Sequence, residues 1–153
     1  MARLYQINIS KGGVPKHRVE DATVDYLGIL GDYHNDREHH GGPDKALCMF
    51  SLELIEQLRS EGHNIAPGHL GENLTISGLN WEQIIPGTKL LIGDTLLVEV
   101  TGYTNPCYKI GAFFKDGKFS RVSQKTHPGN SRVYARVIVP GRIKQGDQVT
   151  IVP

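Results

Sequence analysis

Apolar and polar residues alternate over much of the chain, which predicts short β-strands with one buried face. Residues 3–9 alternate in this way, and residues 22–30 predict a second strand. Further strands are predicted at residues 46–50, 73–76, 89–92, 95–100, 133–139 and 148–152. The pairs Gly93-Asp94 and Pro140-Gly141 are turn residues between predicted strands. The pattern therefore predicts a β-rich chain with closely spaced turns.

One segment instead shows the spacing of an amphipathic helix. Ser51 is a suitable N-cap for a helix that extends to about Ser60, and Gly62 is placed to end it. The apolar stripe of this helix consists of Leu52, Ile55 and Leu58. Residues 108–124 are ambiguous and are expected to contain one or two short helices. Many short strands with one clear helix favour a mainly β fold, a β-barrel with helical decoration.

Length and composition limit the possible classes of protein. The 153 residues suit a single domain, residues 1–153. A formal net charge of +1 gives no general attraction to nucleic acid or to an acidic membrane. No apolar run is long enough for a membrane span, and the alternating N-terminus does not resemble a signal peptide, so we expect a cytoplasmic protein. Nucleotide-binding glycine motifs and the Gly-x-Ser-x-Gly elbow of hydrolases are also missing from the sequence.

Two cysteines are too few for a disulfide scaffold, and their surroundings differ. Cys107 follows a strong strand in the motif Thr104-Asn-Pro-Cys-Tyr-Lys109. A thiol at such a junction is a candidate nucleophile or metal ligand if its thiolate is stabilised, whereas a half-buried, unreactive cysteine is the alternative. Cys48 lies in the apolar run Ala46-Leu-Cys-Met-Phe50 and is expected to be an inert core thiol.

A histidine-rich loop follows the second predicted strand. Its candidate metal ligands are His34, Asp36, His39 and His40, a donor set that suits zinc or iron. Their spacing matches no established ligand motif, so a zinc hydrolase remains only an alternative. Gly41-Gly42 and the nearby Lys45 form a candidate anion-binding turn.

Several short motifs, taken in order, resemble the MOSC family, which is named from the C-terminal domain of molybdenum cofactor sulfurases. They are Lys11-Gly-Gly-Val-Pro-Lys16, His40-Gly-Gly-Pro-Asp-Lys-Ala46, Pro67-Gly-His-Leu-Gly-Glu-Asn-Leu74, Thr104-Asn-Pro-Cys-Tyr-Lys109 and Pro140-Gly-Arg-Ile-Lys-Gln-Gly-Asp147. The resemblance extends over nearly the whole chain. It implies a MOSC-type β-barrel with a few short helices, in agreement with the hydrophobic pattern.

The resemblance also implies that Cys107 is the functional residue. In this family the cysteine either carries a persulfide or ligates molybdenum in the molybdenum cofactor (molybdopterin), and some members reduce N-hydroxylated compounds. The match implies cofactor-binding roles around the thiol for His40, Lys45, Glu72, Asn73, Thr104, Asn105 and Arg136. Lys45 and Arg136 would hold anionic oxygens.

The same resemblance suggests which partners are needed. The chain has no room for a pyridoxal-phosphate desulfurase, and two cysteines cannot hold a four-cysteine iron–sulfur cluster. We therefore expect no pyridoxal phosphate site, and we expect a separate sulfur donor or electron-transfer partner together with a small-molecule substrate. Two other classes remain open, a non-catalytic carrier or chaperone of the cofactor and an inert β-barrel interaction domain. The sequence leaves the oligomeric state open.

Overall fold

The computed structural model describes residues 1–33 and 42–153, and these residues form mainly β structure. Their eleven strands are β1 Arg3–Ile9, β2 His17–Val19, β3 Asp21–Asp25, β4 Gly28–Ile29, β5 Leu47–Ser51, β6 Leu74–Ser77, β7 Lys89–Ile92, β8 Leu96–Tyr103, β9 Val133–Val139, β10 Gly141–Lys144 and β11 Val149–Val152. One α-helix, α1, spans Leu52–Ser60. Short 3₁₀ helices lie at Pro43–Lys45, Trp81–Gln83, Tyr108–Phe113 and Phe119–Val122. The mainly β prediction is confirmed.

Eight of the strands form one sheet in the order β11-β7-β8-β9-β5-β6-β1-β2. Its neighbours are antiparallel except β5 and β6, which are parallel and are connected through α1. The sheet is not closed as a barrel, since β2 pairs with the C-terminal half of β1. The beginning of β1 contacts the segment before β11 through an Arg3–Gln148 bridge and through backbone hydrogen bonds of Leu4 with Gly146 and Asp147. A second sheet has the order β10-β3-β4.

The structure reproduces the strongest sequence patterns and corrects a weaker one. Strands β1, β7 and β9 have the predicted bounds, and the Ser51 hydroxyl caps α1 by accepting from Leu54 N at 3.2 Å. The single strand predicted over residues 22–30 is wrong, because the chain turns between β3 and β4. Asp25 Oδ1 stabilises that turn by accepting from Leu27 N at 2.9 Å, and Gly28 has a φ of 123°.

The two faces of β9 have different environments, which positions the candidate site. Val133, Ala135 and Val137 are buried in the hydrophobic core. Because side chains alternate along a strand, Tyr134 and Arg136 lie on the opposite face. That face is buried at Tyr134 and exposed at Arg136, so its buried part lies near the beginning of the strand. In the described part of the chain, no helix is long and apolar enough to cross a membrane.

Candidate functional site

Cys107 lies where the end of β8 leads into a 3₁₀ helix. Thr104 extends the pairing of β8 with β9, since its N–H donates to the Arg132 carbonyl at 2.9 Å. Cys107 has extended backbone angles and directly precedes the helix Tyr108–Phe113, and its carbonyl accepts from Ile110 N at 3.2 Å. Cys107 is a free cysteine, and the residue is partly exposed. Cys107 thus follows a strand, as the sequence indicated, and a short 3₁₀ helix begins directly after it.

Two cavities meet at this thiol and share Asn105, Cys107 and Tyr134 in their walls. The inner cavity, of about 100 Å³, extends toward Cys48 and Arg132. The outer cavity, of about 460 Å³, extends toward the 3₁₀ helix Pro43–Lys45. A ligand at Cys107 therefore has access to a narrow space on one side and to a wider one on the other.

Arg132 is the most unusual residue of the inner cavity, because it is a buried charge. Only 6% of its surface is exposed. Its Nη1 donates to the Leu70 carbonyl at 2.6 Å, whereas its Nε has no hydrogen-bond partner. Within residues 1–33 and 42–153 it forms no salt bridge with a carboxylate. Since the guanidinium stays protonated in proteins, the inner cavity has a permanent positive charge in its wall.

A second cation of the inner cavity, Lys16, is paired within the protein. Its Nζ lies 2.6 Å from Asp32 Oδ1, and both side chains are buried. The other oxygen of Asp32 accepts from Asn73 Nδ2 at 2.9 Å, and Asn73 Oδ1 accepts from Cys48 N at 3.0 Å. The amide of Asn73 is thus engaged with neighbouring segments behind the cavity wall. It holds the wall in place and does not face the cavity.

Glu72 also lies behind this wall and is completely buried. Its Oε2 accepts from the Thr75 hydroxyl at 3.1 Å, whereas its Oε1 has no partner. Burial raises the pKa of this carboxyl to about 7. Glu72 therefore changes charge near neutral pH beside a cavity that already contains Arg132.

We expect Glu72→Gln to remove a pH-dependent loss of stability. In the unfolded chain the carboxyl ionises near its ordinary pKa of 4.5, and burial raises the folded value to about 7. The folded state thus holds the proton more tightly, and the stability that this provides is lost as the pH rises from 4.5 through 7. The loss at pH 8 is on the order of 3 kcal/mol. The check is the difference in free energy of unfolding between variant and wild type from pH 4.5 to 8. A difference that does not change with pH would contradict the prediction.

Cys48 was predicted to be a buried core thiol, and its burial is confirmed at 7% exposure. It lies on β5 opposite Tyr134, and its sulfur is 3.6 Å from the Thr104 hydroxyl. Burial raises the pKa of the Cys48 thiol, which disfavours the reactive thiolate. Cys48 nevertheless contributes to the inner cavity wall, so the cavity contains two thiols in very different environments.

The structure brings some of the predicted site residues together and separates others. Thr104 and Asn105 line the inner cavity with Cys107, and Lys45 lines the outer cavity with its Nζ 5.2 Å from the centre of the Tyr134 ring. Glu72 and Asn73 lie behind the wall, outside both linings. His40 lies outside the described residues, as do His34, Asp36 and His39. Among the described residues no three or more His, Cys, Asp or Glu side chains are grouped to hold a metal ion.

Arg136 lies outside both cavities, and its Nε donates to Glu99 on the exposed part of the sheet at 3.0 Å. Sequence reasoning missed Arg132, which precedes β9 and lines the inner cavity. The sequence contained a clue to Arg132. Every second residue of a strand lies on the same face, so the face that carries Arg136 also carries Tyr134 and, just before the strand, Arg132. That end of β9 pairs with the end of β8 that leads to Cys107.

Comparison with known proteins places this architecture in a family. A family model described as the MOSC domain matches residues 36–150. The Bacillus subtilis (strain 168) protein YflK, which is uncharacterised, is 31% identical over 138 residues, or 88% of this chain and 60% of YflK. A Gibberella moniliformis (strain M3125 / FGSC 7600) protein named reductase is 28% identical over 131 residues, or 81% of this chain and 22% of the reductase.

Protein YiiM from Escherichia coli (strain K12) is similar in both sequence and structure. It is 29% identical over 121 residues, which cover 76% of this chain and 53% of YiiM. The crystal structure of YiiM from Escherichia coli superposes with a TM-score of 0.73, covering 100% of this chain and 70% of that one. This chain thus spans about 60% or less of the length of the curated relatives named here. The match over residues 36–150 shows that the chain belongs to the MOSC domain family.

Proposed function

We propose that the two cavities at Cys107 bind the molybdenum cofactor and that the Cys107 thiolate ligates its metal. One observation carries the proposal, the partly exposed thiol at the junction of a narrow cavity and a wide one. An extended ligand can fill both cavities with its reactive centre at the sulfur. Membership of the MOSC family and similarity to a protein named reductase support a role related to this cofactor.

The residues around the thiol fit such a ligand in three respects. A thiolate is a soft donor and suits a metal that the pterin already holds, so one protein ligand is enough. Arg132 provides a buried cation with an unpartnered Nε, and Lys45 provides a second cation in the outer cavity. Leu70 and Ile110 give the inner cavity an apolar surface that excludes water. The thiolate therefore suits the metal of the cofactor, the two cations suit its anionic groups, and the apolar wall suits its ring system.

The roles of the chain's own residues follow from this placement. Cys107 would hold the metal as its thiolate, with its Sγ proton given up to solvent. Arg132 and Lys45 bind anionic oxygens, and the Asn105 amide donates a hydrogen bond to the ligand. Burial raises the pKa of Tyr134, so its phenol stays protonated in the shared wall. When bound, the cofactor would supply electron transfer at the metal, which suits the reduction of N-hydroxylated compounds with electrons from a separate partner.

A second candidate function is sulfur carriage, which the exposure of the thiol favours, because a persulfide donor must reach Cys107 from solution. In that reaction the Cys107 thiolate attacks the outer sulfur of a donor persulfide. A new sulfur–sulfur bond forms at Cys107, and the donor leaves as its thiolate. A protein that forms this persulfide needs no metal.

The test is the molybdenum and pterin content of protein purified from a host that makes the cofactor. We expect wild type and Cys48→Ser to retain both, and Cys107→Ser to lose nearly all of both. Cys48→Ser is the matched control, because it changes the other thiol of the same cavity. Equal retention by all three would contradict the proposal. Wild type without molybdenum but with one additional sulfur atom on Cys107, found by mass spectrometry, would favour sulfur carriage instead.

A further inference from the structure

We propose that residues 108–127, the basic segment that directly follows Cys107, form a docking surface for a small acidic electron-carrier protein. The inference rests on the proposed function, because that function needs electrons from a separate partner. It adds the surface that receives this partner and the charge that the partner must have. It assigns no contact with the ligand in the two cavities.

The basic segment concentrates positive charge that the rest of the chain does not have. It contains five lysine or arginine residues and one carboxylate, which give a formal charge of +4 in 20 residues. Because the whole chain has a formal charge of +1, the other 133 residues have a formal charge of −3. A surface of one sign attracts a partner of the opposite sign and raises the rate of association. This distribution favours an acidic partner at the basic segment.

Most of these charges are not neutralised within the protein. Arg121 pairs with Glu61 through two hydrogen bonds of 2.9 Å. Lys115 Nζ donates to the Glu61 backbone carbonyl at 2.6 Å, which leaves its charge unmatched. The lysines of the basic segment are all exposed and form no salt bridge within residues 1–33 and 42–153; they are Lys109, Lys115, Lys118 and Lys125.

The apolar side chains of the basic segment hold it on the body of the protein, so its charged side chains point outward. Ile110, Phe114 and Val122 are buried in the hydrophobic core. The Phe113 carbonyl accepts from Asn64 N at 3.0 Å, which fixes the segment next to the chain that follows α1. The charges are therefore displayed on a folded surface and not on a loose loop.

A concavity of about 500 Å³ lies between the basic segment and the end of α1. Its wall contains the cations Lys115, Lys118 and Arg121 and the two carboxylates of Glu61 and Asp116. Both carboxylates are already engaged, Glu61 by Arg121 and Asp116 through Oδ1, which accepts from Lys118 N at 2.9 Å. The concavity is thus basic in effect, and it suits acidic side chains that project from a partner.

The basic segment also begins at the reactive position. Tyr108, its first residue, is 78% exposed, and Lys109 is exposed while it also lines the inner cavity beside Cys107. An exposed tyrosine is a frequent anchor of protein interfaces, because its ring buries a large apolar area and its hydroxyl can still hydrogen-bond. A carrier that binds here lies next to Cys107, where electrons are needed.

The electron count determines what the partner does. Reduction of an N-hydroxylated compound converts N–OH to N–H, takes up two electrons and two protons, and releases one water molecule. A one-electron carrier is oxidised once in each encounter and therefore docks twice for each substrate molecule. Such a partner has to dissociate between encounters, which suits an interface of exposed charges with a fast rate of association.

Surface plasmon resonance tests the inference with two oxidised acidic carriers as probes, a flavodoxin and a [2Fe–2S] ferredoxin. Wild type should bind at least one of them saturably, with an association rate that falls at least about tenfold between about 0.02 and 0.5 M salt. Lys118→Glu/Lys125→Glu should lower the association rate at low salt at least about tenfold and change the dissociation rate by less than about threefold. Tyr108→Ala should instead raise the dissociation rate at least about fivefold.

Lys89→Glu/Arg142→Glu is the matched control, because it makes the same change of net charge at exposed positions of β7 and β10, outside both cavity linings. Its association rate should stay within about threefold of wild type. Equal losses in the two double variants would overturn the inference, as would the absence of saturable binding of both carriers by wild type. Tighter binding of a single-stranded oligonucleotide than of either carrier would also overturn it, in favour of a nucleic-acid surface.

The same measurements separate this inference from the proposed function, because docking of an oxidised carrier requires no metal. Cys107→Ser should bind the carriers like wild type, since the basic segment is unchanged, although it should lose molybdenum. Salt-sensitive docking by a protein that never retains molybdenum would contradict only the cofactor proposal. Molybdenum retention without binding of either carrier would contradict only the docking surface.

Discussion

Iodoacetamide is expected to alkylate Cys107 at least about a hundredfold faster than Cys48 in the native, ligand-free protein. Cys107 is partly exposed at the junction of the two cavities. Cys48 is 7% exposed, and its sulfur contacts the Thr104 hydroxyl at 3.6 Å. Burial also raises the pKa of Cys48, so its thiolate is scarce at neutral pH. Restricted access and disfavoured ionisation therefore both slow the reaction at Cys48.

Peptide mass spectrometry after timed labelling measures both rates in one sample. In denaturant the two cysteines should react at similar rates, because the difference arises from the fold. Cys107→Ala should remain almost unlabelled under native conditions. Similar native rates for the two thiols, in a protein that remains folded, would contradict the placement of Cys48 in a closed wall.

Gly68→Ala is expected to destabilise the protein by about 3 kcal/mol or more. Gly68 has a φ of 87°, a conformation that L-residues rarely adopt. A Cβ there would overlap the Lys16 carbonyl oxygen and lie 3.2 Å from Asn8 Cγ. The Gly68 carbonyl also accepts from Lys16 N at 2.8 Å, so the two segments cannot separate without losing this bond. The substitution should displace the residue that pairs with Asp32 in the inner cavity wall.

Gly87→Ala is the matched control, because Gly87 has a φ of 95° and a Cβ there meets no atom within 4 Å. It should cost only the backbone strain, about 1–2 kcal/mol. Denaturant unfolding of both variants measures the two losses. If they were equal, the close approach of Gly68 to Lys16 would have no energetic importance.

Local sequence patterns predicted much of the fold because several strands, such as β7 and β8, bury one face. Strand β9 is another example, since its β-branched and aromatic residues predict a strand, and the structure buries Val133, Ala135 and Val137 in the core. The turn that divides residues 22–30 was missed, because it depends on the hydrogen bond from Leu27 N to Asp25, on the positive φ of Gly28 and on the short pairing of β3 with β4. The incomplete closure of the sheet depends on how β2 and Gln148 share the edge of β1, which no local pattern specifies.

The candidate site was predictable at Cys107 and less so around it. The cysteine follows a strand in sequence, so its junction could be recognised locally. Asn73 shows why local sequence did not identify the surrounding residues. Its side-chain amide hydrogen-bonds to Asp32 and to Cys48 N behind the cavity wall. The choice between Arg132 and Arg136 depends on where the exposed face of the sheet becomes concave, which is a property of the tertiary structure.

The proposed function requires Cys107 to ligate the metal of a cofactor bound in the two cavities. Its most direct test is the fraction of Cys107 that resists iodoacetamide in wild-type protein preparations with different molybdenum contents. If Cys107 is the ligand, the protected fraction should equal the molybdenum content in each preparation and fall to zero when the metal is removed. Rapid alkylation of Cys107 in fully loaded protein, with the molybdenum still bound afterwards, would contradict it.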